Sequence, residues 1–207
     1  MHIPLNGCGM KVNPLVNEIP SSLETKRLIL RIPFLSGDGR VVNEAIRESI
    51  TELSKWLPFA QEIPPVEETE TNLRNAHIKF LARESLRFLI FHKETEEFIG
   101  TSSIHNIDWA IKKGDIGYWI NKKYSGNGYM IEAIKRLTDL GMNQLALNRL
   151  EIRCEAANVK SQAIPEKLGF QLEAVLKSED LSADGKTLTD TYVYGMIMED
   201  YEDQLKE

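Results

Sequence analysis

Between Asp115 and Glu155 the chain reads as a strand, a glycine loop, a helix and a second strand, an order that restricts the fold more than any other feature. Two strands joined by a crossover of that length run parallel in one sheet. The other strand-like segments form a mostly antiparallel set with a hairpin in the middle. They cover residues 27–31, ended by Pro33, and 86–92, 98–108, 170–176 and 191–198, with 98–108 joined around Gly114 to the strand at 115–121. After Asp38, a candidate cap, Val41, Val42, Ala45, Ile46 and Leu53 recur at helical spacing. Leu73, Ala76, Phe80 and Leu81 form a second stripe, and Met130, Ile134, Leu137 and Gly141 a third. Residues 161–168 read as a short helix, with Gly169 at the left-handed position after its end. The expected class is α+β, with a mixed, mostly antiparallel sheet of six to seven strands flanked by helices. Residues 1–22 read as an irregular leader with three prolines, and 23–207 as one domain.

Composition narrows the functional classes. A chain of 207 residues that is 42% hydrophobic can bury a full core. The net charge of −6 argues against non-specific nucleic-acid binding. No apolar run is long enough to span a membrane, and the N-terminus lacks the pattern of a secretory signal. Cys8 and Cys154 stand far apart in unlike contexts, which argues against a disulfide framework or a metal site and favours a reducing cytoplasm. The acidity is uneven. Lys112, Lys113, Lys122, Lys123, Lys135 and Arg136 face only Asp115 and Glu132 within residues 111–136. That basic segment coincides with the glycine loop and points to an anionic ligand.

The loop, Lys123-Tyr124-Ser125-Gly126-Asn127-Gly128-Tyr129, aims bare N–H groups and the positive end of a helix at one place, as phosphate binding requires. A dinucleotide fingerprint would need glycine at 131, where Ile131 stands. A Walker loop ending in Gly185-Lys186-Thr187 would need glycine at 180, where Asp180 stands. What remains is a basic or polar residue, two spacers, Gly, one spacer, Gly, directly after an aromatic-rich strand.

In that form Gly117 to Met130, followed by Arg149 to Cys154, Asn158-Val159-Lys160-Ser161 and Lys167-Leu168-Gly169-Phe170, resembles the acetyl-CoA-dependent GNAT superfamily. Within it, Glu24 to Arg31 is similar to the opening strand of the Rim-type ribosomal-protein N-terminal acetyltransferases. The resemblance spans residues 23–198. It implies a fold whose two parallel strands splay apart around the pantetheine arm of acetyl-CoA. It also implies a cytoplasmic N-acetyltransferase, often a homodimer, whose acceptor is a protein N-terminus or a small amine such as a polyamine or aminoglycoside. A non-catalytic acyl-CoA sensor is the contrasting reading of the same fold.

The residues suit that chemistry. Glycines at 126 and 128 let the backbone from Tyr124 to Tyr129, through Ser125 and Asn127, approach a pyrophosphate closely. Lys123 stands where the family prefers Arg or Gln. By resemblance, edge backbone groups of Trp119 and Ile120 bond the pantetheine amides and Asn158 bonds the cofactor arm, while Ser161 donates a proton to the leaving sulfur. Capping is an equally ordinary role for Asn158 and Ser161, and the two roles are compatible. The matching position for a general base is Asp180, with Glu179 beside it and Asp115 as another carboxylate; a solvated loop is the plain alternative for the first two. The family more often carries Glu there. His105, His77 and Cys154 show no spacing that supports a hydrolytic triad. The acceptor walls are expected from residues 38–85 and the loop near 178–190.

Overall fold

The strands form one sheet, and the register between two of them creates its functional gap. The computed structural model describes residues 13–206. Cys8 and the first part of the expected leader lie outside them. The strands are β1 (Ser22–Glu24), β2 (Leu28–Arg31), β3 (Leu86–His92), β4 (Phe98–Asp108), β5 (Lys113–Ile120), β6 (Arg149–Glu155), β7 (Gln171–Leu181) and β8 (Leu188–Ile197). Their order in the sheet is β1-β2-β3-β4-β5-β6-β8-β7. The β5–β6 pair is parallel and the others are antiparallel, as the crossover requires. Among the described residues the sheet has eight strands rather than six to seven. The extra one, β1, is three residues long and carries no readable alternation of its own.

Among the described residues five α-helices accompany the sheet: α1 (Gly39–Leu53), α2 (Val66–Leu81), α3 (Tyr129–Asp139), α4 (Val159–Lys167) and α5 (Met198–Gln204). Phe88 and Leu89 are neighbours on β3 and therefore point to opposite faces. Phe88 joins the larger core, where Met130, Ile134 and Leu137 of α3 pack with Leu28, Leu30, Ile99, Ile104, Leu150 and Ile152. Leu89 joins a smaller core with Val42, Ala45 and Ile46 of α1, Leu73 of α2, and Phe98, against which Trp119 packs. The three helical stripes thus lie where their spacing places them, except that Leu81, the last residue of α2, is exposed.

Local chemistry corrects several details. Asp38 stands at the N-cap of α1 but makes no cap bond. Its carboxylate is held by the Arg31 guanidinium at 2.6 and 2.9 Å and by the Phe34 N–H at 2.7 Å. Gly114 lies within β5, not in the turn, because Ile104 leaves no room for a Cβ there. The turn itself places Lys112 at positive φ. β7 runs five residues beyond the expected end, so the hairpin to β8 is shorter than the sequence suggests. No described helix is long and apolar enough to cross a membrane.

Candidate active site where two strands part

Strands β5 and β6 pair only at Lys113↔Arg149, Gly114↔Leu150 and Asp115↔Glu151. Beyond that point β5 stays with β4, and β6 stays with β8. The result is a V-shaped gap with unpaired edge groups on its walls. The Asn121 N–H donates to the Ile99 carbonyl at 2.8 Å, across toward β4. Because alternate residues of a strand turn their N–H and C=O to opposite sides, Tyr118 and Ile120 present theirs to the gap. Trp119 also borders the cleft, but its backbone groups turn toward β4. Of the two expected edge residues, Ile120 is the one with its backbone free, and Tyr118 replaces Trp119 as the second.

The gap opens into a cleft of about 950 Å³ that reaches from the C-terminal end of α1 to the glycine loop and the start of α4. Asn121 shapes the loop from beneath. Its buried side chain accepts the Lys123 N–H at 3.0 Å and donates to Glu48 of α1 at 2.8 Å, while Ser49 accepts the Lys122 N–H at 2.9 Å. Gly126 and Gly128 have φ of +84° and +75°. A Cβ at Gly126 would meet nothing within 4 Å, so glycine is needed there for conformation, and the space above it is open to a ligand. Gly128 is the N-cap of α3 and makes no side-chain cap bond, which leaves the first-turn N–H groups for an anion. Lys55, Lys122, Lys123, Lys160 and Lys167 ring this cleft. The open cradle and the basic ring fit a phosphorylated ligand.

The other loop residues sort by contact. The Lys123 ammonium bonds Glu97 at 2.6 Å instead of reaching into the loop, and it holds that exposed carboxyl down to about 2. Tyr124 packs edge-on against Tyr129. Ser125 and Asn127 are exposed, and the Asn127 amide donates to the Tyr124 carbonyl at 3.1 Å. Arg27, which sequence reasoning passed over, lies on the outer side of the loop. Its guanidinium donates to Glu132 of α3 at 2.6 Å and to the Asn127 carbonyl at 3.1 Å, and lies 4.4 Å from the Tyr129 ring centroid.

Across the gap, Asn158 Oδ1 accepts the Ser161 N–H at 3.1 Å and caps α4. Tyr118 Oη donates to the Ser161 carbonyl at 3.0 Å and lies 3.2 Å from Ser161 Oγ. Burial raises the Tyr118 phenol above its ordinary range, so it remains protonated. The Cys154 thiol is pushed up to about 11, mainly by burial, and is a neutral neighbour of Ser161. The structure therefore brings Ser161, Asn158, Ile120 and the glycine loop to one cleft.

Glu179 and Asp180 do not line that cleft. β7 continues as an exposed edge strand through both, and neither sits in a loop. Glu179 pairs with Arg153, and Asp180 Oδ1 accepts the Leu181 N–H at 2.8 Å. Asp180 acts on Glu155, at the end of β6: burial raises the Glu155 carboxyl, and the Asp180 charge raises it further. Asp115 accepts from Asn106 at 2.8 Å, and its register partner Glu151 accepts from Arg149 at 2.9 Å. The half-buried His105 is lowered by burial, partly offset by Asp115. His77 contacts the Pro33 carbonyl at 2.6 Å.

Known proteins share this fold. Residues 27–171 match the family described as Acetyltransferase (GNAT) domain. The ribosomal-protein-serine acetyltransferase of Escherichia coli strain K12 is 26% identical over 156 residues, 75% of this chain and 85% of that protein. The microcin C7 self-immunity acetyltransferase MccE, solved with acetyl-CoA and AMP, superposes with a TM-score of 0.79 at 23% identity, covering 86% of this chain and 97% of its own. RimL, a ribosomal L7/L12 alpha-N-protein acetyltransferase solved with coenzyme A, gives 0.78 at 22% identity over 88% of this chain and 98% of its own. The chain belongs to the GNAT acetyltransferase family. It is an acetyl-CoA-dependent N-acetyltransferase.

Proposed function

We propose that this GNAT enzyme acetylates the N-terminal α-amine of a protein, a ribosomal protein being the expected class of acceptor, and that it works in the cytoplasm. The observation that carries the reading is an uncovered sheet surface beside the cleft. On the face where α1 and α2 pack, β6, β8 and β7 carry no helix among the described residues, and Arg153, Glu173 and Glu179 stand exposed there. An extended polypeptide end fits against such a surface, and the Escherichia coli relative is named for a ribosomal-protein substrate.

The residues divide the work by position. Acetyl-CoA supplies the activated acetyl group. Loop N–H groups from Ser125 to Tyr129 hold its pyrophosphate, and the free edge groups of Tyr118 and Ile120 hold its arm. Ser161, bonded to Tyr118, stands where a proton can pass to the departing sulfur. Glu155, at the open end of β6 with its carbonyl accepting the Asn158 N–H, is the carboxylate we assign to take the ammonium proton; burial and the Asp180 charge both raise its carboxyl. That assigns Asp180 a supporting place in the base, with Glu179 occupied by Arg153.

Acetyl-CoA turnover on peptides beginning with Ser or Ala, on spermidine and on kanamycin tests the reading. Turnover on the peptides at tenfold or greater kcat/KM supports a protein N-terminus. Turnover confined to spermidine or kanamycin replaces it with a small-amine acceptor. Coenzyme A binding without turnover on any amine would mark a sensor.

A further inference from the structure

Glu52 lies in the last turn of α1, four residues after Glu48 and on the same side of the helix. Glu48 uses its carboxylate to hold Asn121 under the glycine loop. Glu52, one turn further on, borders the cleft itself, together with Trp56 and Leu57. Its Oε2 atom is buried and has no hydrogen-bond partner among the described residues. Nor does Glu52 form an ion pair among them, although Lys55 and Lys122 border the same cleft.

A buried carboxylate oxygen without a donor weakens the folded state, because it has given up water for nothing. Glu52 borders the cleft and holds no cation among the described residues, so a rotation that turns this oxygen into the cleft offers a carboxylate to a positively charged donor. The phosphates of the co-substrate are repelled by it, and the loop on the far side of Asn121 already provides for them. The acceptor amine is different: it enters as an ammonium with three N–H donors and no counter-charge.

We infer that Glu52 receives the ammonium of the acceptor substrate and that Trp56 and Leu57 form the apolar wall for the group next to it. The inference deepens the acetyltransferase reading and rests on an amine acceptor, whether protein or small molecule. The preferred substrate is then a cationic primary amine carried on an uncharged first residue. Glu52 is a binding residue: it draws in the charged form, and the proton leaves to Glu155 afterwards.

Calorimetry on coenzyme A-loaded protein tests this with three probes: a peptide beginning with a free Ser, its N-acetylated form, and spermidine. Wild type is expected to bind at least one free amine tenfold or more tightly than the acetylated peptide. Glu52→Gln removes that preference, Glu52→Asp retains most of it, and coenzyme A affinity stays within about twofold in both. A preference that survives Glu52→Gln overturns the inference. So does a tenfold loss of coenzyme A affinity, which would assign the carboxylate to the cofactor arm, or the absence of any preference in wild type. If spermidine alone shows the Glu52-dependent preference, the protein-acceptor reading fails and the role of Glu52 stands. Trp56→Ala, read in the same way, weakens the free-Ser peptide more than coenzyme A.

Discussion

The Arg27 side chain bonds Glu132 across 2.6 Å, although 105 positions separate the two residues in sequence. The same carboxylate accepts the Arg27 N–H at 2.8 Å and the Thr25 hydroxyl at 2.6 Å. The turn between β1 and β2 is thereby fastened to the first turn of α3, and the guanidinium extends from there to the Asn127 carbonyl. With Asn121 beneath the glycine loop and the Asn127 amide within it, this clamp holds the loop's outline from the outer side.

Arg27→Ala should therefore loosen the loop without touching the strand gap. Coenzyme A affinity is expected to fall roughly five- to tenfold, about 1 kcal/mol for a half-exposed charged hydrogen bond. Isothermal titration with coenzyme A and with pantetheine separates the effects. An equal loss for both ligands would show that the clamp supports the whole fold and not the phosphate end.

The Glu132 carboxyl carries a pH signature. Burial alone would raise its pKa, but bonds from Thr25 and from the Arg27 backbone and side chain prevail and hold it below 4.5. A lowered folded pKa means that the stabilisation is complete above the unfolded value and disappears as pH falls through the folded one. The stability gap between wild type and Glu132→Gln should be widest near neutral pH and close in acid. Urea unfolding at pH 7 and in acid checks this, and a gap independent of pH would refute it.

Ser161→Ala is expected to lower kcat by about a hundredfold, at the modest end of general-acid effects because a thiolate leaves readily. KM for acetyl-CoA should stay within about threefold. Tyr118→Phe, which removes the hydroxyl beside Ser161, should give a smaller fall in kcat. Asn158→Ala should instead cost about 1 kcal/mol of stability as a lost cap. Steady-state kinetics and thermal melts distinguish the three, and an unchanged kcat in Ser161→Ala would remove it from proton transfer.

Asp180→Asn should move the acidic limb of the kcat/KM profile to lower pH, because one of the two influences raising Glu155 is gone. Burial of Glu155 remains, so the limb should not return all the way to the ordinary carboxylate position. Glu155→Gln should abolish the limb and most of the rate. If the limb stays fixed in Asp180→Asn, the two carboxylates do not act together.

Legibility in the sequence followed the range of the interaction. The crossover, the glycine loop and the cap at Asn158 are written in consecutive residues, and each appears where its pattern places it. β1 is too short to show alternation, and α5 is a short acidic segment, Met198–Gln204, with one buried residue, Tyr201. Glu179 and Asp180 looked like loop residues because β7 is exposed on both faces and shows no inward period. Trp119 and Tyr118 exchange roles through the direction of one edge hydrogen bond, which no side-chain pattern records. Arg27 and Glu52 were missed for a related reason: their significance lies in partners supplied, or left out, by distant parts of the chain.

The three residue pairs that join β5 to β6 have a further consequence. Five strands lie on one side of that seam and three on the other, so the sheet is fastened at one end and unlaced at the other. An amide-bearing arm lying in the opening would engage the bare rungs of β5, with its thioester end toward the start of α4. The co-substrate would thus serve as a short additional strand, and loading the enzyme would lace up the open end of its sheet. The larger core runs beneath both halves, from Leu30 and Phe88 to Ile152 and Tyr194, so the strands part at the edge of the seam while the halves stay joined below it.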